Sequence, residues 1–327
     1  MPRRKIPAPA PAPTAGPPGL LELDRFSAAS LQKWTEASRD IDQLSASLYF
    51  ETEPERRRYR EELLDALRAA PKVELEFSTW ARIVTFRYGL SPLSSAGSLH
   101  GIGGRFNAGT DLDDSTLEAW PALYIAENYE TAFREKFQLA SDETNNGLTA
   151  QDLALTPNAS HSTVILRGKL ASVFDLNDDE ALKPICRVFR RIQMPATAKR
   201  LQKKLKIPNR DNFMIRSPFQ LKRALLASNW RLQPMQFGMP ASSQIFAELV
   251  RAAGFEGVLY QSSKGPGRCL AIFPEALTDD TYIELADPAP DEVKHVRLDS
   301  TTAPCVAGTT SPSNCDPRSS DFRARTN

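Results

Sequence analysis

The amino-acid sequence predicts an α+β fold, and three observations support this prediction. Residues 22–70 place apolar side chains at helical spacing, whereas residues 73–88 are rich in β-branched and aromatic residues with partial alternation. Further strands and helices follow without the regular strand–helix alternation that a doubly wound parallel sheet requires. Apolar residues make up 41% of the chain, which is enough to bury a sizeable core.

The N-terminal part is predicted to be a disordered arm followed by helices. Residues 1–20 are rich in proline and alanine, a composition that favours extended chain. Residues 21–72 form the predicted helical region, where the segment EPERRRYREELLDALRAAP begins with acidic residues and ends at a proline. We interpret its three arginines, residues 56–58, as part of a solvated helix face.

The segment 73–298 is predicted to carry the mixed core, and the polar, aperiodic residues 299–327 a disordered tail. Residues 178–250 are mostly helical in pattern. Their basic stretch AKRLQKKLKIPNR is interpreted as an exposed helix, with contact to a nucleic acid or an acidic partner as the alternative. Beyond the first strand, further strands are predicted at 122–128, 162–176, 255–263 and 269–274, and a helix directly after residue 128.

Charge and composition exclude several classes of protein. The chain has 41 basic and 40 acidic residues, so it lacks the basic excess of a dedicated nucleic-acid-binding protein. Four cysteines without a C-x-x-C pair and three scattered histidines predict a reducing, cytoplasmic setting and no metal site. No apolar run suits a secretory signal or a bilayer span, so we expect no membrane association.

The segment HGIGGRFNAG, residues 100–109, surrounds Arg105 with four glycines. Glycine lets the backbone approach a ligand closely, so a basic side chain in this setting indicates an anion site. The common nucleotide fingerprints do not fit. Phe106 stands where G-x-G-x-x-G requires glycine, and no Gly-Lys-Ser/Thr triplet completes a P-loop.

Four segments occur in an order that is more specific than any one of them. The strand segment WARIVTFRYG is followed by GGRFN, then by LYIAENYETAFREKF, and finally by GVLYQSSKGPGR. Together they resemble the RES domain, in which an early strand with an arginine, a G-G-R-[FW]-N loop, an L-Y-x-A strand and a T-A-x-x-E helix occur in this order. The resemblance covers residues 78–275, with insertions at 108–120, 141–161 and 178–250.

The resemblance implies a core related to the ADP-ribosyltransferases and NAD+ as the substrate. Many members of the family are toxins of toxin–antitoxin pairs, so it also implies a helix-turn-helix antitoxin as partner. The expected activity is cleavage of the nicotinamide–ribose bond, with water, inorganic phosphate or a protein side chain as the acceptor. An ADP-ribosyltransferase that modifies a protein target and a non-catalytic nucleotide-binding protein are the alternatives.

The resemblance also implies roles for individual residues. Arg82 and Arg105 are assigned to the substrate's phosphates, because a guanidinium matches phosphate geometry and stays charged. Glu135 is assigned to the positive charge that develops on the ribose in an oxocarbenium-like transition state. The family often has asparagine where Cys269 stands here. The remaining substrate-binding residues are predicted to be Tyr124, Ser262, Ser263, Gly104 and Asn107, with Arg87 as the second choice to Arg82.

Overall fold

The computed structural model describes residues 28–113, 117–139, 160–208 and 214–307. The predicted arm at 1–20, most of the insertion at 141–161 and the tail beyond residue 307 lie outside the described residues. Within these ranges, no helix combines the length and the apolar character needed to cross a membrane.

Three helices precede the sheet, as the helical pattern predicts. They are α1 (Ala28–Phe50), α2 (Glu53–Arg58) and α3 (Arg60–Arg68). Helix α3 buries Leu63, Leu64 and Leu67, which share one face because they are three and four residues apart.

The three consecutive arginines of α2 do not share one environment. The side chains of Arg57 and Arg58 are 71% and 69% exposed, as the sequence predicts. Arg56 differs, since its guanidinium lies 5.0 Å from the ring centre of Tyr49 and donates to the Thr52 hydroxyl. The interpretation of a solvated face is therefore wrong for Arg56, because the end of α1 covers it.

The strands form one seven-stranded sheet and one small hairpin. The sheet has the order β1-β4-β7-β6-β5-β8-β9, and β1 also pairs with β5, so the sheet closes on itself. Only the β5–β6 pair is parallel. The strands are β1 (Val73–Thr85), β4 (Leu123–Ala126), β5 (His161–Asp175), β6 (Gly257–Gln261), β7 (Arg268–Ile272), β8 (Tyr282–Leu285) and β9 (Arg297–Leu298), with β2 (Gly103–Gly104) and β3 (Asn107–Ala108) in the hairpin.

Helices pack mainly on one face of this sheet. Helix α4 (Tyr129–Phe137) follows β4, and most of the others lie in the predicted helical region 178–250. This combination confirms the α+β fold class. The remaining helices are α5 (Asp179–Phe189), α6 (Ala196–Lys204), α7 (Pro218–Leu225), α8 (Leu232–Phe237), α9 (Ser242–Ala252) and α10 (Ala303–Val306).

The basic stretch predicted as an exposed helix corresponds mainly to α6. Ala198 and Leu201 are buried, whereas Lys204 is 62% exposed and pairs with Asp40 of α1 at 2.7 Å. This helix therefore turns its apolar side to the protein and its charged side outward, as an amphipathic surface helix does.

The sheet separates two hydrophobic clusters. The helix-side cluster includes Ala81, Ile83, Phe106 and Tyr260 together with residues of α3, α5, α7 and α9. The inner cluster includes Leu123 and Ile125 of β4 and several residues of the C-terminal segment. Because side chains alternate along a strand, this division shows which face each strand residue occupies.

The C-terminal segment extends the fold further than the sequence predicts. Helix α10 buries Ala303 and Val306 against the inner cluster. Asp299 accepts hydrogen bonds from the backbone N–H groups of Thr301 and Thr302, both at 3.1 Å. The predicted disordered tail is therefore wrong for residues 299–307, because two small apolar side chains hold this segment to the core.

Candidate active site

The glycines beside Arg105 are required by close contacts. In the Arg105 loop, residues 101–109, Gly103 has a φ of 81°, a conformation that side-chain-bearing residues rarely adopt. A Cβ atom on Gly104 would lie 2.4 Å from the hydroxyl oxygen of Tyr124. The backbone of this loop therefore lies so close to the Tyr124 side chain that no Cβ atom fits at position 104.

Asn107 holds the two arms of this hairpin together. Its Oδ1 accepts from the Gly104 N–H at 2.9 Å and from the Tyr124 hydroxyl at 2.8 Å. Its Nδ2 donates to the carbonyl oxygens of Ser98 and Trp120 at 2.8 and 3.0 Å. The side chain is completely buried, so Asn107 shapes the loop from inside.

The side chain of Gln244 in α9 supports the Arg105 loop through hydrogen bonds. Its Nε2 lies within 3.0 Å of the carbonyl oxygens of Ile102, Gly104 and Asn107, and donates to them. Its Oε1 accepts from the Ala241 N–H at 2.9 Å. Sequence reasoning missed Gln244, because an isolated glutamine in an amphipathic helix carries no local pattern.

Arg105 is buried and anchored to the helical region. Its side chain is 6% exposed, and its Nη1 donates to the carbonyl oxygens of Leu225 and Ala227 at 3.2 and 2.9 Å. Its guanidinium carbon lies 5.7 Å from the ring centre of Trp230. Nε and Nη2 make no hydrogen bond with any residue that the structure describes, so they can still donate to a ligand.

Tyr124 connects the Arg105 loop to the sheet. Its hydroxyl accepts from the Phe106 N–H at 2.9 Å while it donates to Asn107. Burial raises the pKa of the Tyr124 phenol well above its ordinary value, and the opposing effects of the Phe106 hydrogen bond and of Arg105 are smaller. The phenol therefore remains protonated and neutral.

Glu135 and Ser262 form the contact between α4 and the loop after β6. The Ser262 hydroxyl donates to Glu135 Oε1 at 2.6 Å. The same oxygen of Ser262 accepts from the N–H groups of Lys264 and Gly265 at 3.0 and 2.9 Å. Glu135 Oε2 accepts no hydrogen bond from the described residues, so one carboxylate oxygen is positioned and the other is available.

The Ser262 loop, residues 262–268, rests on the start of α4. The Gly267 N–H donates to the Thr131 hydroxyl at 2.9 Å, and Arg268 Nη2 donates to Glu127 Oε1 at 2.8 Å. A Cβ atom on Gly265 would lie 2.7 Å from Thr131 Cα. Glycine at this position therefore allows the loop to lie directly on the helix.

Tyr260 of β6 lies within electrostatic reach of several of these groups. Burial raises the pKa of the Tyr260 phenol, and Cys269, Glu135 and Tyr124 raise it further, whereas Arg105 lowers it. Burial also raises the pKa of the Cys269 thiol, with Glu135 again adding to the effect, so this thiol remains protonated. Arg105, Tyr124 and Glu135 therefore all lie within electrostatic reach of Tyr260, and Ser262 bonds Glu135.

Arg82 takes a different position. Its neighbours Ala81 and Ile83 belong to the helix-side cluster, so alternation along β1 directs Arg82 to the opposite face. Its Nη1 and Nη2 donate to the carbonyl oxygens of Tyr124 and Ser94 at 3.1 and 2.8 Å, and its Nε is buried without a partner. Burial lowers the pKa of Arg82 to about 10.

Two further predicted residues lie on the surface. Arg87 is exposed in the short 3-10 turn Phe86–Tyr88, and its guanidinium carbon lies 4.6 Å from the Tyr88 ring centre. Ser263 is exposed beside the buried Ser262, which distinguishes two serines that the sequence leaves nearly equivalent.

The helical region adds a second cation that sequence reasoning missed. Arg231 stacks on Trp230 at 4.6 Å and donates from Nη1 to Gln138 Oε1 at 2.8 Å. Burial lowers the pKa of Arg231, Arg105 lowers it further, and Glu135 opposes the shift. Arg231 therefore lies within electrostatic reach of both Arg105 and Glu135. Among the described residues, no group of three or more His, Cys, Asp or Glu side chains could hold a metal ion.

A family model described as the RES domain matches residues 79–295, which is more than half of the chain. The M. tuberculosis MbcT–MbcA toxin–antitoxin complex is similar at 13% identity and a TM-score of 0.38, over 76% of this chain and 98% of that chain. No curated protein matches the chain.

Proposed function

The chain belongs to the RES domain family, and from this premise we propose that it is an NAD+-degrading toxin that cleaves the nicotinamide–ribose bond. The proposed active site is the cluster of Arg105, Tyr124, Glu135 and Ser262. Water or inorganic phosphate is the proposed acceptor.

The hydrogen bond between Ser262 and Glu135 carries this proposal. The Ser262 oxygen already accepts two backbone N–H groups, so its own hydrogen is left to point at Glu135 Oε1. This hydrogen bond holds the Glu135 side chain in one orientation. Oε2 is left to accept a ribose hydroxyl or to face a developing cation.

The interaction energy between the Glu135 carboxylate and a positively charged ribose is large enough to affect the reaction rate. A carboxylate about 4 Å from a full positive charge interacts with it by about 4 kcal/mol at an effective dielectric constant of about 20. A difference of that size between ground state and transition state corresponds to about a thousandfold in rate. Glu135 can therefore supply a large part of the stabilisation of an oxocarbenium-like transition state.

Arg105 is suited to the phosphates of NAD+, since only its Nη1 is engaged by Leu225 and Ala227. Nε and Nη2 form the planar fork that a phosphate oxygen pair accepts. The neutral Tyr124 ring offers a face to the nicotinamide. Gly104 and Asn107 are proposed to shape the loop.

Arg82 is proposed to act through the backbone of Tyr124, which it contacts at the carbonyl oxygen. It is therefore a positioning residue in this proposal.

The direct test is NAD+ turnover by the purified chain, followed as nicotinamide release with and without orthophosphate. We expect Glu135→Gln to reduce the rate by about a thousandfold, because the neutral amide cannot stabilise the cation. Phosphate-dependent formation of ADP-ribose 1″-phosphate would identify phosphorolysis.

The matched control is Glu130→Gln on the same helix. The Glu130 side chain is 57% exposed and pairs with Arg134 at 2.9 Å, so its loss should leave the rate unchanged. Equal rates for wild type and Glu135→Gln would refute the assigned mechanism.

A toxin requires a neutralising partner, and a helix-turn-helix antitoxin is the proposed one. Growth arrest on expression of the chain should be relieved by the cognate antitoxin. Arrest should also be absent for Glu135→Gln expressed alone.

One observation favours a second candidate, a non-catalytic nucleotide-binding protein. Arg82 uses both of its Nη atoms on backbone carbonyl oxygens, and Arg105 uses one. Calorimetric binding of NAD+ without nicotinamide release would select this candidate.

A further inference from the structure

A second arginine shares an aromatic ring with Arg105. Arg231 belongs to the helical region, residues 178–250, and its guanidinium carbon lies 4.6 Å from the ring centre of Trp230. The guanidinium carbon of Arg105 lies 5.7 Å from the centre of the same ring. The Trp230 side chain is only 6% exposed, so both cations contact one firmly packed ring at the candidate active site.

The two arginines connect the Arg105 loop, the helical region and α4. Arg105 donates from Nη1 to two carbonyl oxygens of the helical region. Arg231 donates from Nη1 to Oε1 of Gln138, the residue that directly follows α4, at 2.8 Å. Each guanidinium group is therefore held in place through one of its three nitrogen atoms.

Both guanidinium groups keep donors that the described chain does not use. Nε and Nη2 of Arg231 make no hydrogen bond with the described residues, and the same two atoms of Arg105 make none. Burial lowers the pKa of Arg231, and the charge of Arg105 lowers it further, while Glu135 and Tyr124 oppose the shift. Two cations that repel each other and retain unused donors suit an anionic ligand that contacts both.

We propose that Arg231 is a further substrate-binding residue and that it binds the pyrophosphate of NAD+ together with Arg105, an assignment that rests on the proposed function. The pyrophosphate has two phosphates with one negative charge each, so two guanidinium groups balance it. Each guanidinium presents N–H groups that match a pair of phosphate oxygens. A ligand with a single phosphate leaves one of the two cations unmatched, so Arg231 selects for the dinucleotide.

Gln138 relates this phosphate site to the residue proposed to face the ribose. Its Oε1 accepts from Arg231, and its Nε2 donates to the carbonyl oxygen of Glu135. One side chain thus connects the proposed phosphate-binding cation to the backbone of Glu135. The pyrophosphate and the ribose of one NAD+ molecule are held by groups that are bonded to each other.

The test is calorimetric titration of the full chain with ADP-ribose, which has the pyrophosphate but no nicotinamide bond to cleave, and with AMP. We expect Arg231→Gln to weaken ADP-ribose binding by about tenfold, because one charged hydrogen-bond partner is lost. AMP binding should weaken less, since its single phosphate can still be bound by Arg105. Arg231→Lys keeps the charge and should recover part of the affinity for ADP-ribose.

The matched control is Arg191→Gln. Arg191 also lies in the helical region and stacks on an aromatic ring, at 4.3 Å from the ring centre of Tyr59, but it donates to Glu62. Its loss should leave the affinity for ADP-ribose unchanged. Circular dichroism should show the native helix content in all of these variants.

Three results would each overturn this role of Arg231: no ADP-ribose binding by the folded wild-type chain, equal affinities in wild type and Arg231→Gln, or equal losses for ADP-ribose and AMP. Nicotinamide release is measured separately, so the two proposals can fail independently. Binding of ADP-ribose that depends on Arg231 without nicotinamide release would refute only the reaction. Nicotinamide release with an unchanged ADP-ribose affinity in Arg231→Gln would refute only the role of Arg231.

Discussion

The Arg105 loop and the Ser262 loop both belong to the proposed active site, but they are supported in different ways. The Arg105 loop is supported by the buried side chain of Gln244, which bonds three carbonyl oxygens at once. The Ser262 loop is held to α4 by the Gly267–Thr131 and Ser262–Glu135 hydrogen bonds. An ion pair also joins Arg268 to Glu127, just before this helix, and these two side chains are 40% and 36% exposed.

This difference in support predicts a difference in rigidity between the two loops. A buried polar group that loses its partner costs about 1–3 kcal/mol, whereas an exposed ion pair contributes about 0–1 kcal/mol. The half of the proposed site around Arg105 should therefore be the more rigid one. The loop that positions Glu135 should open more easily, because water can replace part of its support.

The largest effect is expected from Gln244→Ala. Three carbonyl oxygens would lose their donor, one in a buried hydrogen bond and two in part-buried ones, so the free energy of unfolding should fall by about 3 kcal/mol. Urea denaturation measures this change. The control is Ser243→Ala, since the Ser243 hydroxyl is buried and has no hydrogen-bond partner among the described residues, so its removal should not lower the free energy of unfolding. Equal losses of unfolding free energy in Gln244→Ala and Ser243→Ala would contradict the assigned role of Gln244.

A smaller effect is expected from Thr131→Val. The Gly267 N–H would lose its acceptor in a buried place, which should cost about 1–2 kcal/mol. Hydrogen exchange at the Gly267 amide should accelerate as well. Thr131→Ser keeps the hydroxyl and should restore slow exchange, whereas fast exchange in both variants would argue against this hydrogen bond.

The smallest effect is expected from Glu127→Gln, below about 1 kcal/mol at neutral pH, because the ion pair is partly exposed. Hydrogen bonds from Arg268 lower the pKa of Glu127 from its ordinary value of 4.5. The carboxylate therefore stabilises the fold above that ordinary pKa, and this contribution is lost as the pH falls through the lowered value.

The measurement is the difference in stability between wild type and Glu127→Gln across this acidic window. The difference should shrink as the pH falls. A difference that stays constant below pH 4.5 would contradict the assigned cause of the pKa shift.

Much of the candidate site could be predicted from the sequence because its residues lie in short motifs. Arg105 among glycines and Glu135 in the T-A-x-x-E pattern are local signals, and both lie within electrostatic reach of Tyr260. The fold class followed from the mixture of strand and helix patterns in the same way. The roles of these residues remain proposals.

Other features depended on contacts that no local pattern encodes. Gln244 meets Gly104 across 140 residues of sequence, and Arg231 reaches the site from the helical region. The face of the sheet that Arg82 occupies depends on the positions of the two hydrophobic clusters. The segment around Arg82 does not reveal these positions. The difference between Ser262 and Ser263 likewise depends on the turn made by the Ser262 loop.

The anchoring of Arg105 Nη1 to Leu225 and Ala227 has a consequence for attempts to shorten this protein. The helical region at 178–250 looks like a removable module when the family's motifs are considered alone. Removing this region would leave the buried guanidinium of Arg105 without its two carbonyl acceptors, and it would also remove Gln244. A trimmed chain should therefore lose the proposed active site before it loses its sheet, so this region has to be kept in any shortened version of the protein.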